Sequence, residues 1–95
     1  MKELIIKPER GLCVETVARR RYWKAVDRYM VSGCEDRESE EEIEILLRFL
    51  EDENLPAYRS MIEDEIGRGR SAYLILSFSE DGGYRVRMGI DDRQT

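Results

Sequence analysis

The chain has 95 residues and a mass of 11.2 kDa, which leaves room for a single domain over residues 1–95. Acidic residues outnumber Lys and Arg by 21 to 16, so the net charge is −5. Histidine is absent, which excludes a Ser-His-Asp triad, a Cys-His pair and a His-ligated zinc site. No apolar run approaches the ~18 residues of a membrane helix, and the charged first ten residues are unlike a signal peptide. We expect a cytoplasmic protein with no membrane partner.

The first third of the chain predicts a strand followed by a helix. Consecutive apolar residues indicate a short strand over residues 3–7, which a turn beginning at Pro8 ends. Between residues 14 and 31, apolar residues recur at spacings of three and four, which favours an amphipathic helix capped by Gly33. The β-branched and aromatic residues of this segment are also typical of strands, so a strand is the alternative.

The middle third predicts two more helices. Residues 39–52 have the clearest helical pattern, and Ser39 and Glu42 have the spacing of a capping box. A further helix begins near Pro56 and ends at Gly67, with Tyr58, Met61, Ile62 and Ile66 on its apolar, inner face. Because the connection between these two helices is short, we expect them to pack as an αα-hairpin.

The last third predicts a β-hairpin. Residues 72–79 alternate with apolar side chains on both faces, which is typical of a central strand. The turn signal Asp81-Gly82-Gly83 follows, and residues 84–90 then alternate between an apolar side and a basic side. We expect residues 91–95 to form a loose tail.

These elements predict an α+β fold. The N-terminal strand and the C-terminal hairpin form a small antiparallel sheet, which two to three helices accompany. Three strands make a minimal sheet, and a chain of this length buries a modest core. A second subunit adds buried apolar area and covers sheet edges, so we expect a homodimer.

The net charge is the sum of unequal blocks. Residues 1–33 carry eight basic and four acidic side chains, net +4; residues 34–65 carry three and thirteen, net −10; residues 66–95 carry five and four, net +1. The acidic block suggests a surface that binds a basic protein partner, a Mg²⁺ or Ca²⁺ site, or a solvated helix start. Its candidate residues are Glu35, Asp36, Glu38, Glu40, Glu41 and Glu44.

A basic cluster lies in the first block, between Arg19 and Arg28. On a helix, Arg20, Lys24 and Arg28 follow one another at i, i+4 and i+8, which places three cations in a row for an anion such as a nucleic-acid phosphate. The net negative charge and the lack of a nucleic-acid-binding motif argue against a nucleic-acid partner. The row alternatively faces solvent or the acidic block of the same chain or of a second copy.

Other chemistry has little support in the sequence. Cys13 and Cys34 are the two cysteines and form no C-x-x-C motif, so free thiols are the favoured state and a disulfide is the alternative. No nucleophile has an identifiable base, so we predict that the protein is not an enzyme and assign no catalytic, metal-binding or cofactor-binding residue. Arginine supplies thirteen of the sixteen basic residues, which is compatible with a thermophilic origin.

The Glu-rich run Ser39–Glu44 and the closing Gly89-Ile90-Asp91-Asp92 belong to a resemblance that covers all 95 residues. The chain resembles an uncharacterised acidic orphan protein of hyperthermophilic archaea. The resemblance implies an α+β fold in an intertwined homodimer and a basic protein partner, and it transfers no functional residue.

The favoured function is therefore a non-enzymatic, homodimeric protein-interaction module whose acidic surface binds a basic protein. Nucleic-acid binding through the basic cluster and a metal-dependent enzyme using the Glu cluster are the alternatives.

Overall fold

The computed structural model describes residues 3–9, 12–79 and 81–91. These residues form three helices and a three-stranded antiparallel sheet, which confirms the predicted α+β class. The predicted tail lies mostly outside the described residues. In chain order the elements are β1 (Glu3–Ile6), α1 (Val14–Val31), α2 (Arg37–Leu50), α3 (Leu55–Gly67), β2 (Ser71–Phe78) and β3 (Tyr84–Asp91).

The sheet has the order β1-β2-β3, so β2 is the central strand, as predicted from its two apolar faces. Leu76 of β2 lies opposite Leu4 on one side and Val86 on the other, and all three side chains of this row face the helices. On the opposite face the ring of Tyr73 covers Gly89, where a Cβ atom would come within 2.4 Å of the ring. A glycine in the middle of β3 therefore allows a close approach that a side chain would block.

The helices cover one face of the sheet, and the hydrophobic core lies between the two layers. Alternation along each strand sends every second residue into this core, as the pleat requires. The buried apolar residues of the cluster are Leu4, Ile6, Ala72, Leu74 and Leu76 from the sheet and Val14, Val17, Ala18, Ile45, Leu46, Phe49 and Ile62 from the helices.

The segment that was ambiguous between helix and strand is helix α1. It ends close to Gly33, whose φ of +75° suits a glycine after a helix C-terminus, as predicted. The buried positions of α1 recur at helical spacing, which is why the period of three and four outweighed the β-branched composition.

The predicted N-cap of α2 is wrong by three residues. Asp36, not Ser39, caps the helix: its carboxylate accepts hydrogen bonds from the Glu38 amide at 3.2 Å and from the Ser39 hydroxyl at 2.7 Å. Ser39 is instead buried inside the first turn, and Glu42 is buried and paired with α1. An ionised Asp accepts the orphan amides of the first turn more strongly than a hydroxyl does, so the cap lies at the earlier position.

The predicted αα-hairpin of α2 and α3 is also wrong. The hairpin partner of α2 is α1, whereas α3 lies mainly against β2. On α3, Ile62 is buried, but Met61 and Ile66, predicted on the inner face, are 46% and 49% exposed. Ion pairs join α2 to α1, because the buried Glu42 needs cations and α1 supplies them, and both helices also bury apolar residues in the core.

Candidate functional site

Glu42 joins α2 to α1 on the inner side of the acidic segment. Its side chain is 7% exposed, and its carboxylate accepts hydrogen bonds from Arg21 at 3.0 Å and from Arg28. Arg21 also donates to the backbone carbonyl of Ile5 at 2.5 Å, so the same guanidinium connects α1 to the edge of β1. Two cations therefore satisfy a carboxylate that would be costly to bury alone.

The loop before α2 and its first two turns carry what we call the acidic face, which consists of Glu35, Asp36, Glu38, Glu40, Glu41 and Glu44. All of them except Asp36 are exposed, and together they extend over the loop before α2 and its first two turns. Glu38 and Glu40 lie in the first turn, where the positive end of the helix dipole stabilises negative charge. The structure thus brings the predicted acidic residues together on one continuous segment.

Asp36 differs from the other members because it has a structural task. The Ser39 hydroxyl, which donates to its carboxylate, holds the pKa of Asp36 below its usual range. The backbone amides of Ser39 and Glu38 act in the same direction. As the N-cap of α2, Asp36 fixes where the helix starts and hence how the rest of the acidic face is spaced.

The basic row predicted on α1 is present but is not uniform. Arg20 and Lys24 are exposed, and Arg20 lies 4.0 Å from the carboxylate of Glu9. Arg28 is engaged by Glu42, so it is less available to an external anion than the sequence suggested. A contact between the basic and acidic blocks, one of the alternatives for this row, is therefore made within the chain by Arg21 and Arg28 on Glu42.

Arg21 is the contact residue that sequence reasoning missed. A signal for it was present: Arg21 and Arg28 are seven residues apart, which is two helical turns, so they lie on one side of α1. Glu42 gave a second signal, because it is the acidic residue of α2 that shares a face with Ile45, Leu46 and Phe49. A carboxylate at an inward position predicts a cationic partner on the facing element.

The two cysteines are free and far apart. Cys13 is the N-cap of α1, and Cys34 follows the other end of this 18-residue helix. A helix of that length spans about 27 Å, which excludes a disulfide within one chain. Cys13 lines a cavity of about 480 Å³ together with Leu12, Val14 and Ile62. The Thr16 hydroxyl, 3.4 Å from the sulfur, lowers the pKa of the Cys13 thiol.

Metal binding and membrane insertion were the remaining possibilities for this chain. Among the described residues, no group of three or more Cys, Asp or Glu side chains is arranged to hold a metal ion. In the same part of the chain, none of the helices combines the length and the apolar character that crossing a bilayer requires.

A comparison with protein families identifies the family of this chain. A family model matches residues 3–93, almost the whole chain, so the protein belongs to that family, an uncharacterised one named for an archaeal gene. This confirms the archaeal resemblance at the level of the family, whereas the hyperthermophilic origin stays a prediction. Searches of curated proteins and of solved structures gave no match.

Proposed function

We propose that the protein is a non-enzymatic, homodimeric protein-interaction module whose acidic face binds a basic protein partner. The observation that carries the proposal is the outward projection of Glu35, Glu40, Glu41 and Glu44 from one short segment, over a helix whose inner side is anchored to α1. The anchor holds the helix that carries these carboxylates against α1.

The charges nearest to the acidic face do not cancel it. Within the described residues, Glu35, Glu40, Glu41 and Glu44 form no ion pair with a basic side chain. The arginines of α1 that approach α2, Arg21 and Arg28, bind the inward-facing Glu42 instead. A negative field therefore remains on the outside of α2.

Such a field favours encounter more than tight binding. A single exposed ion pair contributes about 0–1 kcal/mol, so four or five carboxylates must act together to hold a partner. Exposed charges interact over roughly 8–10 Å at physiological salt, which is enough to steer a basic surface toward α2. We expect a partner with clustered Lys or Arg side chains and binding that weakens as salt rises.

The exposed thiol of Cys34 supports a cytoplasmic location for this module. Free, exposed cysteines persist in reducing compartments, whereas oxidising ones favour disulfides. Our proposal of a homodimer rests on the modest size of the core and on the exposed apolar residues of the sheet and helices. Val31, for example, is 88% exposed.

Retention of partners on the immobilised protein tests the acidic face. We expect the wild type to retain a basic protein from native lysate at low salt and to release it at high salt. A Glu40→Gln, Glu41→Gln, Glu44→Gln triple variant should lose it. The matched control removes three exposed charges elsewhere, at Glu51, Glu53 and Glu63, and should retain it.

Two results would overturn the proposal: no salt-sensitive basic protein in the wild-type eluate, or equal retention by the two triple variants. The dimer is checked separately by light scattering, where a mass near 11.2 kDa across the tested concentrations would refute it.

A further inference from the structure

Helices α1 and α2 pack side by side, and one side of this pair is turned away from the sheet. The side nearer the sheet holds Glu42 with Arg21, whose guanidinium also donates to the Ile5 carbonyl of β1. Glu40 precedes Glu42 by two positions, so the two side chains point about 160° apart around α2. Burial, followed by the charge of Glu40, raises the pKa of Tyr29, which places Glu40 near α1 on the side away from the sheet.

On this side α1 carries apolar side chains that the core does not use. Trp23, Val26 and Met30 follow one another at spacings of three and four, so they share one side of the helix. Trp23 and Met30 are 59% and 64% exposed, Val26 is half-buried, and the fully buried Ala25 lies on a different side. The Tyr22 ring packs edge-on against Trp23, with 5.3 Å between the ring centroids, so the exposed indole is held in place.

On α2, apolar residues of the same side lie beside carboxylates of the acidic face. Ile43 is half-buried, and Leu47, one turn later, is 41% exposed. Glu40, Glu44 and Leu47 follow at i, i+4 and i+7, so the carboxylates border the apolar residues. Large exposed apolar side chains grouped in this way are typical of a surface that binds a partner. We call this group the outer face, and it consists of Trp23, Val26 and Met30 of α1 and Ile43 and Leu47 of α2.

We propose that the outer face binds one amphipathic helix of the basic protein partner. The apolar side of that helix packs on the outer face, and its Lys or Arg side chains approach Glu40 and Glu44. Two neighbouring helices leave a groove into which a third helix can pack, and an amphipathic helix in an apolar groove is a common mode of recognition. This inference rests on the acidic face of the proposed function and adds the secondary structure of the partner and the apolar part of its site.

Charge determines which end of the outer face the basic residues of the partner occupy. Met30 lies at the end near Glu40, because the preceding residue, Tyr29, approaches Glu40. Arg19 lies one turn before Trp23 on the same side of α1, about 17 Å from Met30 along the helix axis. A cluster of Lys or Arg side chains is therefore attracted to the Glu40 end and repelled from the Arg19 end.

The first test uses the fluorescence of Trp23, which is the single tryptophan of the chain and so reports on the outer face alone. The probe is a synthetic peptide of Lys, Leu and Ala whose leucines recur at spacings of three and four. Its control has the same composition and charge in an order that spreads the leucines around the helix. We expect the amphipathic peptide to shift the emission to shorter wavelength and to bind about tenfold more tightly than the control peptide.

The second test removes one apolar contact. Met30→Gln should weaken binding of the amphipathic peptide about tenfold, because the side chain at the centre of the contact no longer buries apolar area. Met61→Gln is the matched control, since Met61 on α3 is 46% exposed and lies outside the outer face. Urea denaturation checks that both variants are as stable as the wild type.

The outcomes separate the outer face from the acidic face. Equal binding of the two peptides, abolished at high salt, would overturn the outer face and support the acidic face alone. Binding of neither peptide would overturn both, because both peptides carry the same positive charge. Equal effects of Met30→Gln and Met61→Gln would also overturn the outer face. If Trp23 of the free protein already emits like a buried tryptophan, a second copy covers the outer face and the proposal of a separate partner helix fails.

Discussion

Neutralising Glu42 should destabilise the protein more than neutralising any exposed residue of α2. In Glu42→Gln the shape of the side chain is kept, but its terminal group has one acceptor and one donor. Arg21 and Arg28 both donate to this group, so one guanidinium would meet an NH₂ instead of an oxygen. The variant therefore removes the negative charge of Glu42 and places the NH₂ donor of the new amide opposite an N–H donor of a guanidinium.

The size of the effect follows from burial. Breaking a fully buried ion pair costs about 3–5 kcal/mol. Here the Glu42 side chain is 7% exposed, but the side chains of Arg21 and Arg28 are 34% and 55% exposed and regain water when the pair is lost. A hydrogen bond to a charged group contributes about 1.5–3 kcal/mol, so we expect a loss of about 2 kcal/mol in the free energy of unfolding.

Urea denaturation at neutral pH measures this loss, and for a domain of this size a loss of about 2 kcal/mol also corresponds to roughly 8–16 °C in Tm. Glu41→Gln is the control on the same helix, because Glu41 is exposed and its removal should change the stability by about 0.5 kcal/mol or less. Equal effects of the two variants would refute the claim that Glu42 holds α2 against α1.

Two further predictions concern single groups. The Tyr84 hydroxyl is buried without a hydrogen bond among the described residues, and burial, followed by the charge of Asp52, raises its pKa. Tyr84→Phe should therefore leave the unfolding free energy unchanged or raise it by up to about 1 kcal/mol in urea denaturation, and a loss above about 1 kcal/mol would contradict this. Thr16→Val should raise the pKa of the Cys13 thiol, because the hydroxyl that lowers it is lost. Alkylation by iodoacetamide near pH 7.5, measured in a Cys34→Ser background, should slow; an unchanged pH–rate profile would refute the role of Thr16.

Local patterns were sufficient for the elements of this fold. The alternation in residues 72–79 identified the central strand, and the period of three and four identified α1 and ended it at Gly33. These signals are short-range, since they depend on which side of a strand or helix each residue faces. The order of these helices and strands along the chain then indicated the α+β class.

Which helices pack against each other could not be predicted from these short-range patterns. The short connection between residues 50 and 55 favoured a hairpin of α2 with α3, yet α2 packs against α1. Loop length says which elements are close in sequence, whereas packing follows the side chains that must be buried. Glu42 has one such requirement, and the two arginines that satisfy it precede it by 14 and 21 positions.

The sequence by itself determined the order of most helices and strands, the absence of histidine chemistry and the concentration of negative charge in residues 34–65. The tertiary structure decided which charges remain on the surface. Glu42 turns inward to Arg21 and Arg28, while Glu40, Glu41 and Glu44 face solvent, although all four lie within one acidic run. The physical reason is that a buried carboxylate requires a cation within hydrogen-bond distance, and only the packing of α1 on α2 shows where that cation is.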